Sequence, residues 1–196
     1  GNESRRKIIC LKKYHIHTTN FYLPKKLNLL LKLKLVEQIV CPECHTNFSL
    51  KIKKKQKDEI IEGFLTCTRK HSFSIIRGIP CLVSDKQKDF VKTEDAFSSK
   101  WRHFNKTYHN KKWIEGQKKW FLERFGWKTI SKFEIFLKTC STILDAGTGV
   151  GNSAKLFSSN PNAQVFAIDA SESIEFAYKK YGKIKNVHFL QADIRK

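Results

Sequence analysis

Two pairs of metal-binding side chains stand out in the sequence. Cys41 and Cys44 are separated by two residues, and Cys67 and His71 by three. A CxxC turn holds two thiolates close together, and the 22 residues between the pairs are enough for a hairpin that returns the second pair to the first. Three thiolates and one imidazole make a tetrahedral set that zinc favours in structural sites. We therefore predict a structural Zn²⁺ site at Cys41, Cys44, Cys67 and His71.

Two other interpretations of these residues exist. A CxxC pair is also the redox motif of thioredoxin-like proteins, but no strand–helix–strand unit surrounds Cys41 and the second pair would be unexplained. His45 is a competing fourth ligand, although its position next to Cys44 makes closure of the same site strained. The zinc site with His71 is the favoured prediction.

A glycine-rich stretch carries the second candidate chemistry. Residues 143–153 read ILDAGTGVGNS, so an apolar run is followed by Asp145 and then by glycines at alternate positions, Gly147, Gly149 and Gly151. Glycines let the backbone approach a ligand where a side chain would collide. The dinucleotide pattern G-x-G-x-x-G would place glycine where Asn152 stands, and no Gly-Lys-Ser/Thr follows, which excludes a Walker loop. We predict a ligand-binding turn between a strand and a helix.

Two more carboxylates follow at the ends of predicted strands. Asp169 lies 18 positions after Gly151 and ends the apolar run 165–168, and Asp193 follows the run 189–192. A carboxylate at the end of the second strand of such a unit can accept hydrogen bonds from ribose hydroxyls. Asp169 and Asp193 are therefore candidate ligand-binding residues at the ends of successive strands.

These motifs resemble those of a known family. The run from Asp145 to Gly151 is similar to the D-x-G-x-G-x-G motif of class I S-adenosylmethionine-dependent methyltransferases, and residues 168–172 resemble the family's "vDlSe" segment. The stretch from CPEC to RGIPCLV resembles the zinc ribbons that precede the catalytic domain in bacterial and archaeal methyltransferases, including ribosomal RNA guanine methyltransferases. Residues 98–104 look like the F-x-x-x-W-x-x-F stretch of these two-domain enzymes.

The resemblance implies S-adenosylmethionine as cofactor and a role for each motif. Asp145 would brace the glycine turn or reach the methionine amino group, the glycines would accommodate the methionine portion, Asp169 would bind the ribose and Asp193 the adenine. No catalytic residue is assigned. The implied cofactor-binding set is Asp145, Ala146, Gly147, Gly149, Gly151, Asp169, Ala170, Ala192 and Asp193.

Three functions follow as expectations. The first is methyl transfer to an unidentified acceptor, a small molecule or a lipid or sugar intermediate. The second is an RNA methyltransferase that grips its substrate with the ribbon and a basic arm. The third is a non-catalytic zinc-ribbon docking protein beside a degenerate nucleotide fold.

The order of the predicted strands and helices around these motifs indicates an α/β protein. We expect a small zinc ribbon followed by a partial Rossmann-like parallel sheet. We expect a loose basic arm at residues 1–26, the ribbon at 27–84, aromatic-rich helices at 85–138 and the first half of the Rossmann-like domain at 139–196. The chain lacks Met, begins at Gly1 and ends soon after the third predicted strand. From this we expect a truncated, inactive fragment whose first strand is an unpaired edge.

Composition indicates the binding partners and the cellular compartment to expect. The formal net charge is +20, of which +17 precedes Leu137, and the excess is mainly lysine, which favours solvated surface charge over specific phosphate recognition. The remaining cysteines, Cys10, Cys81 and Cys140, show no pairing pattern, which indicates a reducing compartment. No apolar run reaches the roughly 20 residues that span a bilayer. We expect a cytoplasmic protein without a membrane span.

Overall fold

The computed structural model describes residues 8–12, 35–57, 59–83 and 111–195 and contains two four-stranded sheets. The first sheet is antiparallel, with strands in the order of the chain. A helical turn at residues 35–38 and the first cysteine pair precede it. Its strands are β2 (Phe48–Gln56), β3 (Glu59–Cys67), β4 (Ser72–Ile76) and β5 (Ile79–Pro80).

The second sheet has the order β1-β6-β7-β8, and its last three strands are parallel. Helices connect the parallel strands, because parallel neighbours need a crossover. The strands are β1 (Ile8–Lys12), β6 (Cys140–Ala146), β7 (Gln164–Asp169) and β8 (Val187–Gln191). The helices are α1 (Lys111–Arg124), α2 (Ile130–Lys138), α3 (Asn152–Phe157) and α4 (Ser173–Tyr181). The chain is therefore a mixed α/β protein, as predicted.

The amino-terminal segment departs from the expectation. Strand β1 pairs antiparallel with β6, with Ile8 opposite Asp145 and Cys10 opposite Ile143. The prediction of a loose arm is wrong for residues 8–12, and the prediction that the first parallel strand is an unpaired edge is also wrong. The physical reason is that an open strand edge presents unpaired N–H and C=O groups, which a short β-prone segment can satisfy. The rest of the predicted arm lies outside the described residues.

One cysteine expectation is also corrected. Cys140, at the start of β6, is disulfide-bonded. The sequence shows no pairing pattern for it, because pairing between distant segments leaves no sequence spacing to read, so the inference of a reducing compartment from that missing pattern does not hold. Cys41, Cys44, Cys67 and Cys81 have free thiols.

Side chains of the parallel strands alternate between two cores. Val165, Ala167 and Phe189 belong to the core shared with the helices. Phe166 and Leu190 face the other way and pack with residues of the antiparallel sheet. This period of two is that of strands buried on both faces. The antiparallel sheet thus covers one face of the parallel sheet, and the helices cover the other.

Aromatic side chains of the predicted aromatic-rich helices pack into the core where the structure describes them. Phe121 of α1 and Phe133 of α2 are buried, with ring centroids 5.1 Å apart. Thr129 is the N-cap of α2, since its side chain accepts a hydrogen bond from the Lys132 N–H at 3.2 Å. Trp120 is 46% exposed. The predicted aromatic positions between 85 and 110 lie outside the described residues, as does the stretch 98–104.

The two sheets meet along the short strand β5. The Leu82 N–H donates to the Gln191 carbonyl at 2.7 Å, and Cys81 forms an isolated parallel bridge with Gln191. On the helix side, Arg77 forms an ion pair with Glu175 of α4. Across the described part of the chain, no helix combines the length and apolar character needed to cross a membrane.

Candidate functional site

The four predicted metal ligands lie together. Their ligand atoms are all within 4.8 Å of one another. The Cys44 and Cys67 sulfurs are 3.6 Å apart, and His71 Nδ1 is 3.5 Å from the Cys41 and the Cys67 sulfur. A zinc tetrahedron with Zn–S bonds of about 2.3 Å and a Zn–N bond of about 2.05 Å has S–S edges of about 3.8 Å and S–N edges of about 3.6 Å. The cluster could therefore hold a metal ion such as zinc, with Nδ1 as the histidine donor.

Two tight turns produce this geometry. In the first, the His45 N–H donates to the Cys41 carbonyl at 2.7 Å, and His45 has a φ of 57°. In the second, the Lys70 N–H donates to the Cys67 carbonyl at 2.9 Å, and Lys70 has a φ of 66°. His45 therefore serves the turn and is not a member of the ligand cluster. The fourth member of the cluster is the predicted His71, which lies in the turn between β3 and β4.

The electrostatics of the cluster suit a cation. The Thr46 hydroxyl lowers the pKa of Cys44 to about 6. Burial raises the pKa of Cys41. Burial also opposes ionisation of Cys67, but backbone N–H donors outweigh it and the pKa of that thiol is lowered. Hydrogen bonds to Cys44 and Cys67 raise the pKa of His71. A divalent cation that replaces the thiol protons would neutralise the negative charge of thiolates held this close together.

The predicted glycine turn lies at the carboxyl end of β6. Its three glycines have positive φ values of 75°, 56° and 80° at Gly147, Gly149 and Gly151. The Gly147 and Thr148 N–H groups donate to the Ile168 carbonyl at 2.8 and 3.0 Å, so the turn is tied to the end of β7. The strand-to-helix junction predicted from the sequence is present here.

Asp145 and Asp169 hold the turn from two sides. Asp145 is only 2% exposed, and its carboxylate accepts a hydrogen bond from the Thr148 hydroxyl at 2.6 Å. The Asp169 carboxylate accepts from the Gly149 N–H at 2.7 Å. It also accepts from the N–H and the hydroxyl of Ser171, at 3.0 and 2.6 Å. The structure therefore brings Asp145, the glycines and Asp169 together.

The remaining predicted residues lie beside Asp169. The Ala192 N–H donates to the Asp169 carbonyl at 3.1 Å, and the Gln191 side chain donates to the Ala170 carbonyl at 3.0 Å. Asp193 accepts hydrogen bonds from the Arg195 guanidinium, with Nε 2.9 Å from one carboxylate oxygen. Ala146 is the last residue of β6. All the predicted cofactor residues thus lie at or just beyond the carboxyl ends of β6, β7 and β8.

A cavity of about 430 Å³ is lined by residues of α1, α2 and α3 and by the last residue of α4. Trp120 and Lys118 of α1 line it, together with Asn152 and Tyr181. The Tyr181 hydroxyl donates to the Asn152 side-chain oxygen at 2.7 Å, while the Asn152 amide nitrogen is buried without a hydrogen-bond partner among the described residues. No predicted cofactor residue lines this cavity, so it is separate from the glycine turn.

Comparison with protein-family models and with curated proteins finds no match to this chain. The assignment of the glycine turn therefore depends on its own geometry.

Sequence reasoning missed three side chains that shape the site. Thr148 stands between two glycines and donates to Asp145. Ser171 follows Asp169 by two positions, a spacing typical of an Asp side chain that bonds the backbone ahead of it. Gln191 links β8 to Ala170, and no sequence signal indicates that link.

Proposed function

We propose that this chain binds S-adenosylmethionine at the glycine turn and serves a methyl-transfer reaction. The observation that carries the proposal is the hydrogen bond from the Gly149 N–H to the Asp169 carboxylate, 2.7 Å long. It joins the turn that follows β6 to the carboxylate of the last residue of β7, which is the arrangement expected of a Rossmann-like nucleoside site. Three parallel strands joined by helices support that finer description of the fold.

The glycines fit such a ligand for two different reasons. A Cβ added at Gly147 meets nothing within 4 Å, so the backbone there faces open space that a ligand could enter. A Cβ added at Gly151 would lie 2.9 Å from the Ala177 Cβ and 3.1 Å from the Tyr181 ring. Gly147 therefore suits close approach of a ligand, whereas Gly151 suits close packing of α3 on α4.

The carboxylates show what a ligand would have to displace. A carboxylate has about four acceptor positions, and three of those at Asp169 already accept hydrogen bonds from Gly149 and Ser171. One position is left for a ribose hydroxyl, so binding both hydroxyls requires one of the internal hydrogen bonds to open. Asp193 would likewise have to release part of its contact with Arg195 to reach an adenine amino group.

Bound S-adenosylmethionine would supply an electrophilic methyl group on its sulfonium. In this proposal, Asp145 keeps the turn in shape through Thr148, the glycine backbone accommodates the methionine portion, and Asp169 orients the ribose. A metal ion bound at the Cys/His cluster would have a structural role, because the cluster supplies all four ligands of a tetrahedron.

Ligand-observed NMR with S-adenosylmethionine tests the proposal, because it detects weak as well as strong binding. Asp169→Asn keeps the shape of the side chain and removes its charge, and we expect it to weaken binding about tenfold or more, the loss of one charge-assisted hydrogen bond. Glu172→Gln makes the same charge change three residues away and should bind like the wild type. Equal binding by both variants contradicts the proposal. Absence of any binding would instead favour the non-catalytic docking protein.

For the acceptor, we propose a small molecule or a lipid or sugar intermediate, following the resemblance to two-domain methyltransferases. RNA is the second candidate, and one observation favours it. Strand β2 is an edge strand whose lysines, from Lys51 to Lys55, are exposed, as is Lys57 just beyond it. Exposed lysines on one edge provide the electrostatic attraction on which RNA binding depends.

A further inference from the structure

The outer face of the antiparallel sheet differs in character from its inner face. The inner face carries Leu65 and Phe73, which pack toward the parallel sheet. The strand registers place two rows of residues on the opposite side, which we call the outer face. These rows are Ser49, Thr66 and Ser72, and Lys51, Phe64 and Ser74.

An aromatic ring lies at the centre of this polar face. Phe64 is half-buried, with Lys51 opposite it on β2 and Ser74 opposite it on β4. The Lys53 ammonium lies 4.5 Å from the centre of the Phe64 ring. The neighbouring row presents hydroxyl groups, with the Thr66 and Ser72 hydroxyls 3.3 Å apart.

The charge of the face is positive. Neither row contains an acidic residue. Glu62 lies next to Phe64 along the same side of β3 and is the acid on this face, but it pairs with Lys54 at 3.9 Å. Within the described residues, no other β2 lysine has an ion-pair partner. Lys51 and Lys53 are exposed, so both ammonium groups can reach an anion.

We propose that the outer face binds single-stranded nucleic acid. A base would stack on Phe64, Lys51 and Lys53 would contact phosphates, and the hydroxyl row would contact the sugar–phosphate backbone. A flat ring flanked by cations is the combination with which proteins bind single strands without reading sequence, whereas an acidic peptide would have no use for the ring. Binding exchanges the exposed Lys53–ring contact, which is weak, for a stacked base and a phosphate contact.

This inference does not depend on the proposed methyl transfer. If both hold, the RNA alternative for the acceptor is favoured over a small molecule. The test below contains no S-adenosylmethionine, so failure of nucleic-acid binding and failure of cofactor binding are observed separately.

The charge part of the proposal is tested by anisotropy of a labelled oligouridylate across a salt series. Removing two phosphate contacts by the double variant Lys51→Gln, Lys53→Gln should lower the salt slope of the logarithm of the binding constant by about 1.4, at about 0.7 per contact with a single strand. The double variant Lys55→Gln, Lys57→Gln makes the same charge change beyond the two rows. It should lower the slope by less than half as much, and equal losses would overturn the proposal.

The aromatic part separates this site from a general cationic surface. Phe64→Leu keeps an apolar side chain but removes the ring, and it should weaken oligouridylate binding about fivefold or more, while Phe64→Trp should retain binding. Inorganic polyphosphate, which has no bases, should bind both variants equally. One metal ion per chain in each variant shows that the ribbon is folded. Oligouridylate binding by Phe64→Leu within twofold of the wild type contradicts the inference.

Discussion

The turn between β4 and β5 offers a sharp test of how the two sheets dock. Gly78 has a φ of +84°, and a Cβ added there would overlap the Tyr178 hydroxyl oxygen and lie 2.9 Å from the ring carbon that bears it. Tyr178 belongs to α4, which packs on the parallel sheet, and its ring meets that of Phe189 in β8 edge-to-face, with the ring centroids 6.2 Å apart. We predict that Gly78→Ala forces the Tyr178 ring out of the junction.

The expected cost combines three contributions. An alanine in the left-handed region costs about 1 kcal/mol. Crowding at a packed junction costs about 1–3 kcal/mol, and loss of the Tyr178–Phe189 ring pair about 0.5–1.5 kcal/mol. Gly78→Ala should therefore lower the free energy of unfolding by about 2.5–5.5 kcal/mol. Gly126 is the matched control, because its φ is +72° and a Cβ there meets nothing within 4 Å. Gly126→Ala should cost only the backbone strain of about 1 kcal/mol.

Denaturant unfolding followed by tryptophan fluorescence measures both costs. In a Tyr178→Phe background, the oxygen that a Cβ at Gly78 would overlap is gone, so the cost of Gly78→Ala should fall by about 1 kcal/mol or more. Equal costs for the two alanine variants, or no relief in the Tyr178→Phe background, would refute the docking geometry.

Three further predictions follow from the metal site, the buried thiol and the glycine turn. Cys67→Ser, or removal of a bound metal by a chelator, should change tryptophan fluorescence, because residues of the antiparallel sheet share a core with β7 and β8. Every tryptophan lies outside residues 27–84. Unchanged fluorescence would show that the antiparallel sheet folds independently. Burial raises the pKa of Cys81 from 9.0 to about 11, so the folded state retains a proton that the unfolded state releases, and stability should fall as pH rises from about 9 through about 11. Cys81→Ala should flatten that dependence in pH-dependent unfolding, and an unaltered slope would contradict it. Thr148→Val removes a donor to the buried Asp145 and should destabilise the chain by about 1–3 kcal/mol in thermal unfolding, whereas Thr148→Ser should be nearly neutral.

The sequence predicted the elements whose signals are local. The apolar run that ends at Asp169 indicated β7, and the run before Asp193 indicated β8. The Cys/His cluster was also predictable, because the spacing of Cys41 and Cys44, and of Cys67 and His71, reflects the tight turns that hold them.

Long-range pairing was not predictable in the same way. Strand β1 reaches β6 across most of the chain, and no periodicity in the sequence indicates that partner. The docking of the antiparallel sheet on the parallel sheet through Leu82 and Gln191 depends equally on contacts between distant segments. The hydrogen bonds that occupy Asp169 are set by the path of the turn, which a motif alone does not define.

Backbone amide NMR tests most directly whether the glycine turn and Asp169 form one ligand site. Titration with S-adenosylmethionine should shift the amide signals of Gly147 and Gly149, because the first faces open space and the second donates to the Asp169 carboxylate that the ribose would share. Signals from the ribbon hairpin, such as Gly63, should not move. Saturating ligand that leaves the Gly147 and Gly149 signals in place, or that shifts only residues outside the turn, would contradict the account.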